Sequence, residues 1–163
     1  MPYAEDYYIR VLLNKIKLQE LMSDKVIALK EDEPFSRVAE KLEKHGIRHL
    51  LVVDENYKLA GIVTQSDLFR TCSPRRDEDG NLVFDPETLD TYILKEVMTK
   101  NPAALTPAHS LADALLLMAD KKYGAIPLVD KFNSLVGIVT QTDIFRLWAR
   151  ILREGGATGP ATR

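Results

Sequence analysis

The sequence GIVTQSDLFR at residues 61–70 recurs 76 positions later as GIVTQTDIFR at residues 137–146. Eight of the ten positions are identical, and the other two differ conservatively. The match continues upstream without a gap, so that Met22 corresponds to Met98 and Asp54 to Asp130. Self-similarity at a fixed spacing is the signature of a duplicated structural unit. The chain therefore contains an internal repeat, which predicts two similar units related by a pseudo-twofold axis.

Composition narrows the class of protein. The chain has 163 residues, of which 45% are hydrophobic and 28% are charged, and these are ordinary globular values. Each repeat alone is too small for a comfortably stable core, so we expect the two to fold together. A net charge of −2 and a pI of 5.9 lack the basic surface that duplex nucleic acid requires, so nucleic acid is an unlikely partner.

Cysteine usage and hydropathy indicate a compartment. The single cysteine, Cys72, allows neither an internal disulfide nor a thiolate metal cluster. The sequence shows no signal-peptide pattern and no apolar run that approaches the length of a membrane span. We therefore expect a cytoplasmic location and no membrane as a partner.

Hydrophobic periodicity predicts the order of elements within a repeat. An extended piece at 26–29 precedes a helix whose apolar residues follow the i, i+3, i+4, i+7 pattern from Phe35 and which Gly46 ends. Two near-continuous apolar strands, 49–54 and 59–64, are followed by a helix that begins at Thr64. The fold class is therefore α/β, with two β-α-β-β-α repeats and an additional N-terminal helix.

Segments outside the repeats complete the predicted organisation. The connecting segment is long and charged and contains Pro74, Gly80 and Pro86, which indicates an excursion with a surface helix near 87–96. The predicted segments are a lead-in helix at 1–21, repeat 1 at 22–70, the connecting excursion and helix at 71–97, repeat 2 at 98–152 and a flexible tail at 153–163.

A Thr-x-x-Asp pattern stands at the strand-to-helix junction of each repeat, as Thr64 with Asp67 and Thr140 with Asp143. Taken alone, the pattern is typical of a capping box, in which these side chains satisfy free backbone N–H groups. The alternative is a ligand site, because a helix N-terminus attracts phosphate and an aspartate accepts hydrogen bonds from both hydroxyls of a ribose.

The full pattern resembles the cystathionine-β-synthase (CBS) domain. The matching features are Met22-Ser23 or Met98-Thr99, an apolar strand, a helix, RHLLVVDEN or GAIPLVDKF, and then GIVTQSD or GIVTQTD. Two such domains in tandem resemble a Bateman module. The resemblance implies a regulatory module that binds AMP, ADP, ATP or S-adenosylmethionine between the repeats and switches conformation to control a partner.

The same resemblance implies roles for individual residues. Asp67 and Asp143 would bind ribose, and hydroxyl contacts to sugar or phosphate would come from Thr64, Ser66, Thr140 and Thr142. Ile62 and Ile138 would flank adenine, whose edge the backbone of Ile27 and Ala103 would read in the opposite site. Arg48 and His49 would meet phosphates, and Gly124 and Ala125 replace them in repeat 2. We therefore expect the site at Asp67 to hold phosphate better than the site at Asp143.

Two other functions stay open. The first is a structural homodimerisation module in which the capping boxes have only a local role and no nucleotide binds. The second is a single-stranded nucleic-acid binder that uses Arg75 and Arg76, which the acidic neighbours at 77–79 disfavour. We expect no enzyme activity, no metal and no catalytic cofactor, since the sequence lacks HExxH and CxxC spacings and Cys72 has no local base. The expected partners are a second copy, through the helices after Thr64 and Thr140, and an unidentified effector protein.

Overall fold

The computed structural model describes residues 4–155 and confirms the α/β class. The helices are α1 (Ala4–Lys15), α2 (Ser36–His45), α3 (Gln65–Thr71), α4 (Pro86–Leu89), α5 (Leu94–Val97), α6 (Leu111–Lys121) and α7 (Gln141–Gly155). The strands are β1 (Ala28–Lys30), β2 (His49–Val53), β3 (Leu59–Thr64), β4 (Arg75–Arg76), β5 (Leu82–Val83), β6 (Thr99–Lys100), β7 (Ala125–Val129) and β8 (Leu135–Thr140).

The chain forms two compact units whose composition differs from the sequence repeats. The first-repeat unit consists of residues 25–104 and 129–136. Among the described residues, the second-repeat unit consists of 4–24, 105–128 and 137–155. The N-terminal segment thus belongs with the second repeat, and the start of the second repeat belongs with the first.

A four-stranded mixed sheet with the order β1-β2-β3-β6 organises the first-repeat unit. Strand β1 runs parallel to β2, while β2 with β3 and β3 with β6 are antiparallel. Because strand residues alternate between the two faces, Leu50, Val52 and Val63 lie on one face. They join the buried cluster that Phe35, the residue before α2, and Val38 of α2 complete. This face is the core of the unit.

The prediction of a single surface helix near 87–96 is wrong. Two short helices, α4 and α5, replace it, and their Leu89 and Leu94 are fully buried. The backbone between them bonds elsewhere: the Tyr92 carbonyl accepts from the Phe35 N–H (3.0 Å), and the Leu94 N–H donates to the Glu33 carbonyl (3.0 Å). A continuous helix would use those groups internally, so the tertiary hydrogen bonds interrupt it.

The connecting segment also contains a hairpin that the sequence patterns did not predict. Strands β4 and β5 pair in antiparallel register, with Arg75 opposite Val83 and Arg76 opposite Leu82. The Asp77 carboxylate closes the turn by accepting hydrogen bonds from the backbone N–H groups of Asp79 (3.0 Å) and Asn81 (2.8 Å). These bonds lower the pKa of Asp77.

The lead-in helix α1 lies beside α6 in the second-repeat unit. The Leu111 N–H at the start of α6 donates to the Ile16 carbonyl (2.8 Å), and the Leu18 N–H donates to the His109 carbonyl (2.9 Å). Leu18 is completely buried. Most of the paired strands β7 and β8 also belongs to the second-repeat unit, as does α7. Helix α7 extends three residues into the predicted tail, of which residues 156–163 lie outside the described part of the chain.

Each repeat holds a methionine of the other repeat against a glycine of its strand. A Cβ atom built on Gly61 would lie far inside van der Waals contact with the Met98 side chain. A Cβ atom built on Gly137 would lie 2.9 Å from the Met22 sulfur. Both glycines are required by close approach, since neither is needed for a positive φ. The repeated Gly and Met positions of the sequence are therefore partners in space.

Candidate functional site

The junction between β3 and α3 carries the first predicted carboxylate. Thr64 has an extended backbone and caps α3, and Asp67 Oδ2 accepts hydrogen bonds from the Thr64 N–H (2.6 Å) and from Thr64 Oγ1 (2.9 Å). The other oxygen, Oδ1, accepts a hydrogen bond from the Arg70 guanidinium. Asp67 is only 4% exposed. The capping interaction expected from the Thr-x-x-Asp pattern is confirmed at this junction.

The junction between β8 and α7 is built in the same way but is more open. Asp143 Oδ2 accepts from the Thr140 N–H (2.8 Å) and from Thr140 Oγ1 (2.7 Å), while the Asp143 N–H donates to Thr140 Oγ1 (3.3 Å). Arg146 lies 3.8 Å from Oδ1, beyond hydrogen-bond distance. The Asp143 side chain is 17% exposed, against 5% for Asp67. The Asp143 side chain is therefore more accessible than that of Asp67.

The sheet register places three of the predicted residues on one face. His49 is opposite Thr64, and Leu51 is opposite Ile62, so His49, Ile62 and Thr64 share the face that does not carry the core cluster. Burial, followed by the nearby positive charge of Arg48, lowers the pKa of His49 below its ordinary value. This face presents a neutral imidazole, an aliphatic side chain and a hydroxyl beside the helix start that holds Asp67.

The segment that leads to Ala103 begins at β6, which is paired with β3. Thr99 of β6 is paired with Ile62, and the Asn101 N–H donates to the Ala60 carbonyl (3.1 Å). Ala103 follows two residues later and is half-buried. Ser66, in the first turn of α3, is exposed. The first-repeat unit alone therefore contains every residue predicted for the first site.

The second-repeat unit contains most, but not all, of the second predicted site. Ile138 exchanges two backbone hydrogen bonds with Ser23, of 3.0 and 3.1 Å. Thr140, Asp143 and the exposed Thr142 follow at the start of α7. Ile27, the remaining predicted contact, belongs to the first-repeat unit. The predicted set around Asp143 therefore draws on both units.

Arg48 is separated from the other predicted phosphate contact. Because it immediately precedes His49, alternation directs it to the core side of the sheet. There it lines an open groove of about 600 Å³, which we call the α2–α3 groove. The groove is bounded by α2, α3 and the β4–β5 hairpin and is lined by Ala39, Glu40, Leu42, Glu43, Gly46, Ile47, Arg48, Gln65, Leu68, Phe69, Asp77, Asn81, Leu82, Val83 and Phe84.

Sequence reasoning missed the α2–α3 groove because one wall is the unpredicted hairpin. The aromatic rings of Phe69 and Phe84 meet edge to face, with centroids 5.4 Å apart. The only sequence signal for that wall is the short apolar run Leu82-Val83-Phe84 within a charged segment. A run of three residues predicts neither a strand nor its partner.

Residues 4–155 contain neither a metal-binding cluster nor a membrane-spanning helix. No group of three or more His, Cys, Asp or Glu side chains in that range is arranged to hold a metal ion. None of the described helices combines the length and the apolar character that crossing a membrane requires.

Comparison with known proteins gives a consistent result. The sequence pattern of the CBS domain matches residues 18–73 and 94–150. A CBS domain-containing protein of Dictyostelium discoideum is 29% identical over 139 residues, which cover 85% of this chain and 94% of that protein. A homoserine O-acetyltransferase of Methanohalobium evestigatum is 27% identical over 87% of this chain, but the chain spans only 26% of that enzyme's length.

Solved structures of similar fold contain adenine compounds. The CBS domain pair of protein MJ0100, solved with 5′-methylthioadenosine and S-adenosylmethionine, has a TM-score of 0.67 and 26% identity, and the match covers 82% of this chain and 96% of that one. The structure of CBSX2 with AMP has a TM-score of 0.69 and 25% identity, with coverage of 85% and 99%. CBSX2 comes from Arabidopsis thaliana.

Proposed function

Because the chain belongs to the CBS domain family, we propose that it is a regulatory module that binds an adenine nucleotide and changes conformation to control a partner. The candidate ligands are AMP, ADP, ATP and S-adenosylmethionine. The observation that carries the proposal is the grouping of His49, Ile62, Thr64 and Asp67 around one strand-to-helix junction. Relatives solved with AMP and with S-adenosylmethionine support the ligand class.

The chemistry of the first site suits a nucleoside. An aspartate at a helix start accepts hydrogen bonds from ribose hydroxyls, and Ile62 offers an apolar contact for adenine. Asp67 Oδ1 is available to a ribose once Arg70 leaves it, while Oδ2 remains fixed by Thr64. His49, which is opposite Thr64 in the β2–β3 register, and the exposed Ser66 in the first turn of α3 are the proposed imidazole and hydroxyl contacts. The phosphate role of Arg48 stays a prediction, since its side chain lines the α2–α3 groove.

The second site is proposed to bind a ligand with less negative charge. The Asp143 side chain is more exposed than that of Asp67, and Arg146 lies beyond hydrogen-bond distance from it. Gly124 and Ala125 stand where the first repeat has Arg48 and His49, so no basic pair is present there. The two sites should therefore differ in affinity and in their preference for phosphate.

Calorimetric titration with AMP, ATP and S-adenosylmethionine tests the proposal, with Asp67→Asn as the informative variant. Asparagine preserves the shape of the side chain but removes the charge and one acceptor. We expect it to weaken binding at the first site by about 1.5–3 kcal/mol, the value of hydrogen bonds to a charged group. Asp143→Asn is the matched control, and it should leave the affinity of the first site unchanged. Equal affinities for the wild type and Asp67→Asn would remove the proposed ribose contact.

The structural homodimerisation module is the second candidate function. One observation favours it: both oxygens of Asp67 already have partners within the chain. It predicts no heat with any of the three ligands and no rise in melting temperature at ligand concentrations up to the millimolar range. A ligand-dependent rise in melting temperature that Asp67→Asn abolishes would exclude it.

We also propose that the module acts through a second copy of the chain and through an effector protein. The apolar side chains that α7 leaves exposed, Phe145, Ile151 and Leu152, support an interaction surface on that helix. A nucleotide transmits a signal only if it binds two arrangements of the module with different affinity, and such coupling is typically about 1–3 kcal/mol. The cytoplasmic location and the lack of catalysis expected from the sequence stay predictions.

A further inference from the structure

We propose that two hydrogen-bonded turns couple the two candidate nucleotide sites, so that a ligand at one site stabilises the strand that leads to the other. The two turns are the β2–β3 turn (54–58) and the β7–β8 turn (130–134), and we call them the turn pair. Both lie in the first-repeat unit. The inference rests on the proposed function, because it concerns how its two sites influence each other.

The backbones of the turn pair are joined reciprocally. The Leu59 N–H donates to the Asn133 carbonyl (3.1 Å), and the Leu135 N–H donates to the Tyr57 carbonyl (3.3 Å). The shift that relates the two repeats converts Leu59 into Leu135 and Tyr57 into Asn133, so each bond is the repeat equivalent of the other. Leu59 and Leu135 are both buried. The two turns therefore meet at matching positions of the duplicated sequence.

Two side chains strengthen the connection. Lys58 Nζ donates to Ser134 Oγ (2.8 Å), and Asn133 Nδ2 donates to the Leu59 carbonyl (3.3 Å). Lys58 and Ser134 lie opposite each other in an antiparallel bridge and are themselves repeat equivalents. The turn pair is thus held by two backbone bonds and two side-chain bonds.

The backbone conformation of the turn pair is specialised for this contact. Tyr57 and Asn133 are left-handed, with φ of 60° and 62°, and their carbonyls are the acceptors of the two backbone bonds. Tyrosine rarely adopts this conformation, because its Cβ crowds the backbone. Asp54 and Asp130 hold the turns in shape, since each carboxylate accepts two backbone N–H bonds of 2.8–2.9 Å. Backbone strain that is held in place in this way is typical of functional segments.

The turn pair stands at the start of both strands that lead to a candidate site. Strand β3 begins at Leu59 and ends at Thr64, which caps the first site's helix. Strand β8 begins at Leu135 and ends at Thr140, at the start of α7. Energetic coupling travels through contiguous hydrogen-bonded elements. The route from one site to the other therefore consists of two six-residue strands joined by the turn pair.

Backbone amide hydrogen exchange, followed by NMR on the full chain with and without AMP, tests the proposal. All samples carry Asp143→Asn, which weakens direct binding of AMP at the second site. The Thr64 N–H, bonded to Asp67 Oδ2, reports on the first site, and the Ile138 N–H, bonded to the Ser23 carbonyl, reports on β8. We expect AMP to slow exchange at both reporters, by at least about fivefold at Ile138, the lower end of typical allosteric coupling.

Asn133→Ala/Ser134→Ala should break this coupling. It removes both side-chain bonds of the turn pair and places alanine at a left-handed position that asparagine tolerates better. We expect AMP to slow exchange at Thr64 as before, but to change exchange at Ile138 by less than about twofold, below the fivefold limit of typical coupling.

A second variant, Lys58→Cys/Ser134→Cys, keeps the test independent of that double alanine change. The two positions form a non-hydrogen-bonded antiparallel pair, whose Cα atoms are typically about 4.5 Å apart, within the range of a disulfide. The oxidised protein should retain the effect of AMP at Ile138, and the reduced protein should lose most of it. Glu55→Ala/Lys131→Ala, at exposed positions of the same turns, is the matched control and should retain the effect.

Each contrary result has a separate meaning. No effect of AMP at either reporter would remove the nucleotide site of the proposed function. Slower exchange at Thr64 alone, with the turn pair intact, would leave that site in place and overturn the coupling. An effect at Ile138 that persists in Asn133→Ala/Ser134→Ala and in the reduced dicysteine protein would show that other contacts carry the coupling, which also overturns the role of the turn pair.

Discussion

Arg70 determines how accessible the Asp67 carboxylate is to the proposed ligand. Its guanidinium occupies Asp67 Oδ1, yet the arginine side chain is 74% exposed, and an ion pair to an exposed arginine contributes only about 0–1 kcal/mol. Replacing Arg70 with alanine should free that oxygen and raise the affinity for adenosine by up to about fivefold. Calorimetry with adenosine checks this, since adenosine lacks phosphate and isolates the ribose contact.

Arg146→Ala is the control for that prediction. Arg146 is 3.8 Å from Asp143 and competes less for its carboxylate, so its removal should change adenosine affinity little. A decrease in adenosine affinity for Arg70→Ala would show that Arg70 supports the site instead of competing with the ligand.

His49 makes stability depend on pH. Burial and the Arg48 charge lower the pKa of His49 below 6.5, so at a given pH the unfolded chain binds a proton on this ring more readily than the folded chain. As the pH falls below 6.5, the free energy of unfolding should therefore decrease, until the pH also drops below the lower pKa of the folded state. Urea unfolding of the wild type and of His49→Gln between about pH 5 and pH 8 measures this.

The difference between the two proteins isolates His49, because His45, His109 and the carboxylates are common to both. The glutamine variant should lose less stability than the wild type on acidification. Parallel stability curves would mean that the pKa of His49 is the same in the folded and unfolded chains.

At the scale of single elements, Gly61 of β3 leaves room for no side-chain atom beside Met98. Replacing Gly61 with alanine places a methyl group inside the space of the Met98 side chain and next to the Thr99 carbonyl, so the neighbours must move. Overpacking of this kind typically costs about 1–3 kcal/mol, which urea unfolding would measure. Met98 is flexible, so shortening it in Gly61→Ala/Met98→Val should recover part of the loss. Unchanged stability of Gly61→Ala would contradict the contact.

Elements were predictable from sequence where a local pattern decides them. The apolar runs at 49–54 and 59–64 became β2 and β3, and Gly46 ends α2 in the left-handed conformation. The connecting segment was not predictable, because Phe35 and Glu33, more than fifty residues upstream, supply the hydrogen bonds that divide α4 from α5. Local propensity carries no information on such distant partners.

The candidate site was predictable in its residue types and less so in its arrangement. The Thr-x-x-Asp spacing alone indicates that hydroxyl and carboxylate meet, as they do at both junctions. The separation of Arg48 from His49 follows from strand alternation, which is also readable from sequence once β2 is assigned. The occupation of Asp67 Oδ1 by Arg70 required the structure, since the same spacing leaves Arg146 at 3.8 Å from Asp143.

At the scale of the whole molecule, the compact units do not follow the repeat boundaries. A fragment 22–97, cut where the repeat and its connecting segment end, would lose Met98 and β6 from the first-repeat unit. A fragment 25–104 retains both. We expect the fragment 25–104 to be more stable, because it keeps the contact of the half-buried Met98 with Gly61 and the pairing of β6 with β3. Urea unfolding followed by far-UV circular dichroism compares them, and equal stability would show that Met98 and β6 contribute nothing.

The reciprocal contacts of Gly61 with Met98 and of Gly137 with Met22 also bear on how such a chain could arise. A single ancestral copy would have carried the methionine and the glycine near opposite ends of its sequence. Within one copy, the two residues could not have made the contact seen here. Two identical copies would make both contacts, either as separate molecules or fused in tandem. This arrangement is that of segment exchange between protomers. Gene fusion would then have preserved the association of the two copies and made it independent of concentration.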